Sequence, residues 1–393
     1  MHRFTFFSPT KVIFGKDAEM KTADEIKKFG GRRVMIVYGC GSVFRSGLLD
    51  RIQELLDKED LPFTVLGGVK PNPRLSLARA GVKQAIEFDA DFILAIGGGS
   101  VIDTAKAIAH GAQDKKTDIW SFWAREAVVK KSLPVGVVLT ISAAGSETSD
   151  SAVITNDETN TKMGLSTEFN RPKFAIMNPE LTYSLPKYQI MCGIIDIMMH
   201  TLDRYFTSNE GNELSDEIAE SLLRVVIRNG NIAIQDSHDY QAMSEIMWCG
   251  SVSHNGLTGL GGPGDFAVHQ IGHELSGKFD MAHGASLSTV WGSWAKYCYT
   301  TRPERFARFG KKVWAIEESS VEESAIAAIE ETVSYFESIG GPTCFTELGI
   351  GVQDDDILNE LADRCVFYGK RTIGQYKVLD REDVYQIYKM ANH

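Results

Sequence analysis

The chain has 393 residues, of which 43% are hydrophobic and 24% are charged, so a long disordered, collagenous or low-complexity chain is excluded. This length predicts two or three domains. The 52 acidic and 41 basic residues give a net charge of −11, which disfavours nucleic acid and anionic membranes as partners and favours a small molecule.

The cysteines and the N-terminal residues indicate the cellular compartment of the protein. Six cysteines are scattered without a Cys-x-x-Cys pair, which indicates reduced thiols rather than a disulfide framework or a cysteine zinc site. The first residues contain no signal-peptide core, and no apolar run approaches the roughly 18 residues of a membrane-spanning helix. We therefore expect a cytoplasmic protein with no membrane partner.

The first half of the chain alternates apolar strands with helical patterns, which is typical of a parallel sheet covered by helices. Strands are predicted at 34–38, 63–66, 92–96, 135–140, 152–155, 161–165 and 174–177, with helices at 48–56, 78–86 and 101–109. After Pro186 the apolar spacing becomes helical, in stretches that begin at residues 190, 215, 241, 286, 321 and 354. These patterns predict an α/β domain at 1–185 and a helical domain at 186–393.

A glycine-rich turn, Gly97-Gly98-Gly99-Ser100, lies between a predicted strand and a predicted helix. Backbone N–H groups and the helix dipole converge at such a turn, and glycines let a phosphate approach closely. Ser100 is the expected N-cap, with Asp103 three residues later as a variant capping box. The turn departs from the G-x-G-x-x-G fingerprint, so a capped tight turn without a ligand is the alternative.

A second loop of small residues, 140–149, leaves the next predicted strand and is rich in hydroxyl groups. Ligands bind beyond the carboxyl ends of strands in open α/β sheets, so two such loops suggest a dinucleotide. An ordinary hydroxyl-rich loop is the alternative for this stretch taken alone.

A group of histidines and one aspartate suggests a metal site. Asp196 and His200 are four residues apart in an apolar segment, so they share one face of a helix. That pair alone is better explained by a hydrogen bond in the core, but His269, His273 and His283 follow in a second segment. One aspartate with three histidines suits Fe²⁺, Zn²⁺, Ni²⁺ or Mn²⁺. His2, His110, His238, His254 and His393 lack this context and are expected to be ordinary surface or core histidines.

Taken together, these segments resemble the iron-containing (group III) alcohol dehydrogenases, and within them the NAD(P)-dependent butanol dehydrogenase and aldehyde reductase branch. The resemblance covers essentially the whole chain. Its motifs are Lys11 to Gly15, Pro71-Asn72-Pro73, Gly97 to Ser100 with Asp103 and Lys106, Gly145-Ser146-Glu147, Gly193 to His200, His269 to His273, and His283-Gly284. It implies a Rossmann-like parallel-sheet nucleotide domain followed by an all-α metal domain, the architecture shared with dehydroquinate synthase.

The resemblance also assigns residues to the two sites. It implies one divalent metal per chain, with iron expected and zinc, nickel or manganese as alternatives, on Asp196, His200, His269 and His283. His273 falls near the nicotinamide, where it either relays a proton or only supports the site. The cofactor contacts fall in the glycine turn, which includes Gly97, and on Asn72, Gly98, Gly99, Ser100, Asp103, Thr140, Ser142, Ser149 and Lys162. The chain departs from the family pattern at Ala144, where threonine is usual, and at Asn178, where aspartate is usual.

The implied activity is hydride transfer between NAD(P)H and a small linear aldehyde or primary alcohol, in a homodimer. A rival is a dehydroquinate synthase-like carbon–oxygen lyase, which must bind a phosphorylated and carboxylated sugar acid. Such a substrate calls for a cluster of Lys and Arg. The segments 193–201 and 254–284 carry only Lys278 as a basic residue besides histidine, which favours a small neutral substrate.

The residues after the first nucleotide-domain strand indicate which cofactor is used. NAD-selective sites place an acidic residue on the ribose 2′-hydroxyl, where it repels the 2′-phosphate of NADP. The resembling position is Gly39, and the next acidic residue is Asp50. Gly39 and Gly41 leave room for a phosphate, Ser42 offers a hydroxyl, and Arg45 offers a charge-assisted hydrogen bond. We therefore expect NADP(H) to be preferred over NAD(H), with dual use as the alternative.

Overall fold

The computed structural model describes residues 1–209 and 212–393, and the chain divides into two units. The first, called here the α/β unit, comprises Phe7–Pro186 and Ser237–Ser251. The second, called the helical unit, comprises Met1–Phe6, Lys187–Asp236 and Val252–His393. Within the described ranges, the helices are too short or too polar to cross a membrane.

Eight strands and sixteen α-helices make up the described chain. The strands are β1 (Lys11–Phe14), β2 (Val34–Gly39), β3 (Phe63–Val69), β4 (Phe92–Gly97), β5 (Val135–Leu139), β6 (Ser151–Asn156), β7 (Thr161–Ser166) and β8 (Phe174–Met177). The first helices are α1 (Thr22–Lys28), α2 (Ser42–Arg45), α3 (Leu48–Lys58), α4 (Leu75–Phe88), α5 (Gly99–Gln113), α6 (Trp120–Trp123), α7 (Lys187–Tyr205) and α8 (Glu213–Gln235). The others are α9 (Tyr240–His254), α10 (Ala267–Phe279), α11 (His283–Cys298), α12 (Pro303–Phe309), α13 (Val321–Ser338), α14 (Phe345–Leu348), α15 (Asp355–Cys365) and α16 (Arg381–Ala391).

The central sheet of the α/β unit is parallel and has the strand order β1-β8-β5-β4-β2-β3. Its middle strands are apolar throughout because helices cover both faces. Met35 and Val37 of β2 pack in the same cluster as Ala105 of α5, whereas Ile36 packs with Ile52 of α3. Strands β6 and β7 form a separate antiparallel pair. The expectation of a Rossmann-like parallel sheet is confirmed.

The strand order creates a switch point between β2 and β4. The chain leaves β2 for β3 on one side and returns to β4 on the other side of β2. The turns that follow β2 and β4 therefore diverge at one edge of the sheet, and this is where open α/β sheets bind ligands. The turn after β2 begins at Gly39 and the turn after β4 begins at Gly97. The two glycine-containing segments of the sequence thus flank one crevice.

The helical unit is built around α7, which packs against α8, α10 and α11. Most of α7 is buried, including Ile194, Ile197 and Met198. Helix α11 approaches α7 closely at Gly284, where an added Cβ would lie 2.1 Å from the backbone oxygen of Cys192. Glycine is therefore required at 284 by the close approach of the two backbones. The expectation of a predominantly helical second half is confirmed.

One local prediction, the capping of α5, is wrong. Helix α5 begins at Gly99 with Gly98 as its N-cap, so Ser100 lies inside the helix and Asp103 forms no capping box. The reason is that the Asp103 carboxylate accepts hydrogen bonds from elsewhere in the unit. The helix predicted at 48–56 lies within α3, and the short helix α2 precedes it; Gly47, with a φ of 67°, separates the two.

Candidate metal centre and nucleotide site

Four predicted metal ligands converge in the helical unit. The Asp196 Oδ1 atom lies 3.4 Å from His200 Nε2, 3.9 Å from His269 Nε2 and 3.8 Å from His283 Nε2. Helix α7 supplies the first two residues, α10 supplies His269, and His283 begins α11. The close packing of these helices brings together side chains that are up to 87 positions apart along the chain.

The donor atoms of this cluster fit a divalent ion. Ligands of one tetrahedral ion at bonds of about 2.1 Å lie about 3.4 Å apart, close to the separations from Asp196 Oδ1. His269 Nε2 is buried, and it has no hydrogen-bond partner within residues 1–209 and 212–393, an arrangement that is costly unless a cation binds there. Burial holds the pKa of His200 well below its usual value. Its imidazole is therefore neutral and can offer a lone pair.

Asp203 supports the cluster and was missed by the sequence analysis. Its buried carboxylate can only accept a hydrogen bond, so Nδ1 of His269 donates to Asp203 Oδ2. The Nε2 lone pair of His269 is then left on the side of Asp196, as expected when a carboxylate orients a metal-binding histidine. Asp203 lies seven residues after Asp196, which is two helical turns along the same face of α7. That spacing is the signal that could have identified it.

Two further histidines lie near the cluster. The His254 ring, at the end of α9, stacks on the His200 ring with centroids 4.0 Å apart and planes 24° apart. From its sequence context, His254 is expected to be an ordinary surface or core histidine, whereas the structure places it against the cluster. His273 lies one turn after His269 on α10, with its ring centroid 5.1 Å from that of His283 and 6.2 Å from that of His269. Five imidazoles therefore border one small volume.

In the α/β unit, the loop after β5 lies against the glycine turn. A Cβ added at Gly98 would lie 1.9 Å from Ile141 Cγ2, and one added at Gly99 would lie 3.8 Å from the Ala144 Cβ. Gly98 is therefore required by the approach of this loop to the N-terminus of α5. The buried Ser142 Oγ has no hydrogen-bond partner within the described ranges. A buried hydroxyl of this kind normally has a partner, so Ser142 fits a site that a polar ligand completes.

The turn after β2 places the Arg45 side chain beside Gly41. Gly41 has a φ of 124°, which an L side chain rarely adopts. A Cβ built on Gly41 would lie 3.4 Å from Arg45 Nη1, so the guanidinium lies beside this turn. Ser42 is the first residue of α2. At Gly39 an added Cβ would make only ordinary contacts, 3.6 Å from the Val69 oxygen and 3.7 Å from Val101 Cγ2.

The other predicted cofactor residues form hydrogen bonds within the α/β unit. Lys162 Nζ donates to Asn72 Oδ1 at 3.0 Å, so these two residues lie together although they are 90 positions apart. The Thr140 amide donates to the Gly97 oxygen at 3.1 Å. The Asp103 carboxylate accepts hydrogen bonds from Ser146 Oγ and from the Val153 amide. The Oγ of the buried Ser149 donates to the Ser151 oxygen.

The comparisons with known proteins agree over the whole chain. Residues 9–179 match the family model described as iron-containing alcohol dehydrogenase, and residues 190–392 match the model of the C-terminal part of the Fe-containing alcohol dehydrogenase family. The chain is 39% identical to NADH-dependent butanol dehydrogenase A of Clostridium acetobutylicum, with all of both chains covered. It is 32% identical to the NADPH-dependent aldehyde reductase YqhD of Escherichia coli, again with all of both chains covered.

A solved structure shows the same fold. NADH-dependent butanol dehydrogenase A from Thermotoga maritima superposes with a TM-score of 0.95 at 35% identity, covering 100% of this chain and 99% of that chain. The metal cluster and the glycine turns described above lie within the two matched family segments. The chain belongs to the iron-containing alcohol dehydrogenase family, in the butanol dehydrogenase and aldehyde reductase branch.

Proposed function

We propose that this protein is a metal-dependent alcohol dehydrogenase or aldehyde reductase that transfers a hydride between NAD(P)H and a small linear aldehyde or primary alcohol. The observation that carries the proposal is the convergence of Asp196 Oδ1 with three imidazole Nε2 atoms within 3.9 Å. The activities for which its relatives are named, butanol dehydrogenase and aldehyde reductase, support the substrate class. They do not favour the lyase alternative.

Asp196, His200, His269 and His283 are the proposed ligands of one divalent ion per chain, and the family favours iron over zinc, nickel or manganese. When bound, the ion supplies a Lewis acid for the carbonyl or alcohol oxygen, and the nicotinamide supplies or accepts the hydride. With one carboxylate and three neutral imidazoles as ligands, a bound divalent ion would keep a net positive charge toward a developing alkoxide. His273 is the proposed proton-handling residue, through an imidazole that is only partly buried.

The proposed cofactor site lies at the switch point of the α/β unit. Its residues come from the segments that follow β2, β3, β4 and β5, including parts of α2 and α5, and from β7. They are Gly39, Gly41, Ser42, Arg45, Asn72, Gly97, Gly98, Gly99, Ser100, Asp103, Thr140, Ser142, Ser149 and Lys162. The N-terminus of α5 offers backbone N–H groups to a phosphate. We also propose that residues 1–185 act as the nucleotide domain and residues 186–393 as the metal domain. The protein is proposed to be a cytoplasmic homodimer, and light scattering would measure the mass of the assembly.

The metal assignment is tested by metal analysis of protein purified without chelator. We expect about one divalent ion per chain. His269→Ala and His283→Ala should lose the ion and the activity, while the histidine control His238→Ala, which lies in the α/β unit, should keep both. Full metal occupancy in both ligand variants would contradict the assignment. Rates with linear aldehydes and alcohols of increasing length test the substrate class, and activity only on anionic sugar acids would support the lyase.

We propose NADPH as the preferred cofactor because position 39 carries no acid and the Arg45 guanidinium lies beside Gly41. Gly39→Asp should shift kcat/KM toward NADH, because the added carboxylate repels the 2′-phosphate of NADPH. The substitution should be tolerated, because the added Cβ makes only ordinary contacts. Arg45→Ala should weaken NADPH use by about tenfold and leave NADH use unchanged, since it removes a charge-assisted contact. Arg51→Ala, on the adjacent α3, is the matched control. A higher kcat/KM of the wild-type enzyme for NADH than for NADPH would overturn the preference.

A further inference from the structure

The loop between β5 and β6, residues 140–150, carries three proposed cofactor residues but is fastened by a side chain outside it. Lys106, in the second turn of α5, has a fully buried side chain. Its Nζ lies 2.8 Å from the Ser146 oxygen, 3.0 Å from Ser146 Oγ, 3.4 Å from the Ser149 oxygen and 2.7 Å from the Ser151 oxygen. One ammonium group thus contacts two residues of the loop and the first residue of β6.

Asp103, one turn earlier on α5, completes the attachment. Ser146 Oγ donates to Asp103 Oδ1 at 2.5 Å, and the Val153 amide donates to Asp103 Oδ2 at 2.8 Å. The Lys106 ammonium lies 4.0 Å from the same Oδ1 atom. The two charged residues therefore neutralise each other while both bind the loop. The Lys106 side chain is fully buried and that of Asp103 is 13% exposed, so most of these contacts lie inside the unit.

The opposite side of the loop is held by α9. The buried Glu147 carboxylate accepts a hydrogen bond from Ser251 Oγ, and Thr148 Oγ1 donates to the Ser251 oxygen at 3.2 Å. Ser146 and Glu147, which belong to the Gly-Ser-Glu motif, are thus both engaged inside the unit. Their contacts fix the backbone of the loop between α5 and α9.

We propose that Lys106 is a positioning residue of the nucleotide site, which holds loop 140–150 at the N-terminus of α5 before the cofactor binds. The inference rests on the proposed function, because it takes Ser142 and the glycine turn as two walls of that site. Removing an ammonium from water is costly, and a protein with an apolar side chain of similar volume at this position would often be as stable. Unlike an apolar side chain, the ammonium forms directional hydrogen bonds. These fix the positions of three backbone oxygens and one hydroxyl. Burial lowers the pKa of Lys106 to about 8, which agrees with this desolvation cost.

Lys106→Met leaves an unbranched side chain that is one atom shorter and removes the donors. We expect the Kd for NADPH to rise about tenfold or more, with kcat at saturating cofactor and the metal content within twofold of wild type. Hydrogen exchange of the backbone amides of residues 140–151, measured without cofactor, should become at least tenfold faster. Glu25→Gln removes a different buried charge of the same unit, paired with Lys11 and Lys28, and is the matched control for a general loss of stability.

Ser146→Ala provides a second variant if Lys106→Met folds poorly. It removes the hydroxyl between Lys106 and Asp103 and should raise the Kd by about threefold. Faster exchange of residues 140–151 with an unchanged Kd would overturn the positioning role, and so would unchanged exchange. Wild-type protein that binds neither NADPH nor NADH would instead refute the proposed function, and the exchange measurement would still decide whether Lys106 orders the loop.

Discussion

Asp203 holds the imidazole of His269 in one tautomer and one orientation. The carboxylate is almost completely buried, and it receives the Nδ1 hydrogen, so only Nε2 remains as a possible ligand atom. Asp203 contributes no atom to the proposed ligand set. Its effect on metal binding is therefore separable from that of the four residues that converge on Asp196.

Replacing Asp203 should weaken metal binding without removing a ligand. For Asp203→Leu we expect a 10- to 100-fold loss of metal affinity, which is typical when such an orienting carboxylate is removed. Asp203→Asn should lose less, because its amide oxygen can still accept from Nδ1. The measurement is competition with a chromophoric chelator at fixed pH. Equal affinity in wild type and Asp203→Leu would show that His269 is oriented by other contacts.

His110 is a buried histidine whose protonation should affect folding. Its ring lies between Ser132 Oγ at 2.9 Å and Asn170 Oδ1 at 2.7 Å, and burial lowers its pKa to about 4. The unfolded chain has a histidine pKa of about 6.5, so between these values the unfolded state binds more protons. The stability that depends on neutral His110 is complete above about pH 6.5 and is lost as the pH falls toward 4.

This linkage can be measured by urea unfolding of the α/β unit between pH 4.5 and 7. We expect the free energy of unfolding to fall as the pH falls, with His110 contributing at most about 1.4 kcal/mol per pH unit. His110→Gln cannot be protonated and should show a shallower slope. The same slope in both proteins would mean that His110 does not titrate differently on folding.

At the scale of elements, the metal cluster depends on how closely α7 and α11 approach. Asp196 and His200 lie on α7, and His283 begins α11 next to Gly284. The missing side chain at Gly284 lets the N-terminus of α11 contact the backbone of α7 at Cys192. The separation of 3.8 Å between Asp196 Oδ1 and His283 Nε2 is therefore set by helix packing.

Gly284→Ala should push the two helices apart at the cluster. The added Cβ would lie 2.1 Å from a backbone oxygen, which no side-chain rotation relieves, so we expect a loss of about 1–3 kcal/mol in stability. The metal content after dialysis should fall in parallel. Gly292→Ala, on the same helix, meets only Val333 Cγ2 at 2.8 Å, which a rotamer change relieves, and serves as the control. Full metal retention in Gly284→Ala would contradict this explanation.

At the scale of the whole molecule, the two units carry different proposed ligands. The metal cluster lies in the helical unit, and the switch point of the sheet lies in the α/β unit. A ligand that binds only the folded state stabilises it by about 2.7 kcal/mol at a concentration of 100 Kd. Each ligand is therefore expected to protect its own unit first.

Hydrogen exchange resolved along the chain should separate the two effects. Chelation should increase exchange in α7, α10 and α11, and adding back Fe²⁺ or Zn²⁺ should reverse the increase. NADPH should instead decrease exchange in the turns after β2, β4 and β5. If chelation accelerated exchange in β2 and β4 as strongly as in α7, the metal would not belong to the helical unit alone.

The sequence by itself determined the class of the fold and most of the proposed site. Apolar runs buried on both faces are unambiguous signals of central parallel strands, and the helical periodicity after Pro186 is equally regular. The residues Asp196, His200, His269 and His283 were identified by chemistry and family motif, because few other side chains bind divalent metals.

The contacts of Asp203, His254 and Lys106 are visible only in the tertiary structure. Their partners lie 66, 54 and 40 positions away in the sequence, and local patterns do not specify such contacts. The same reason explains the wrong N-cap at Ser100. Local spacing predicts Asp103 as its capping partner. In the folded protein the Asp103 carboxylate instead accepts hydrogen bonds from Ser146 Oγ and the Val153 amide. Local sequence sets the elements, whereas the contacts between distant segments decide where each polar group finds its partner.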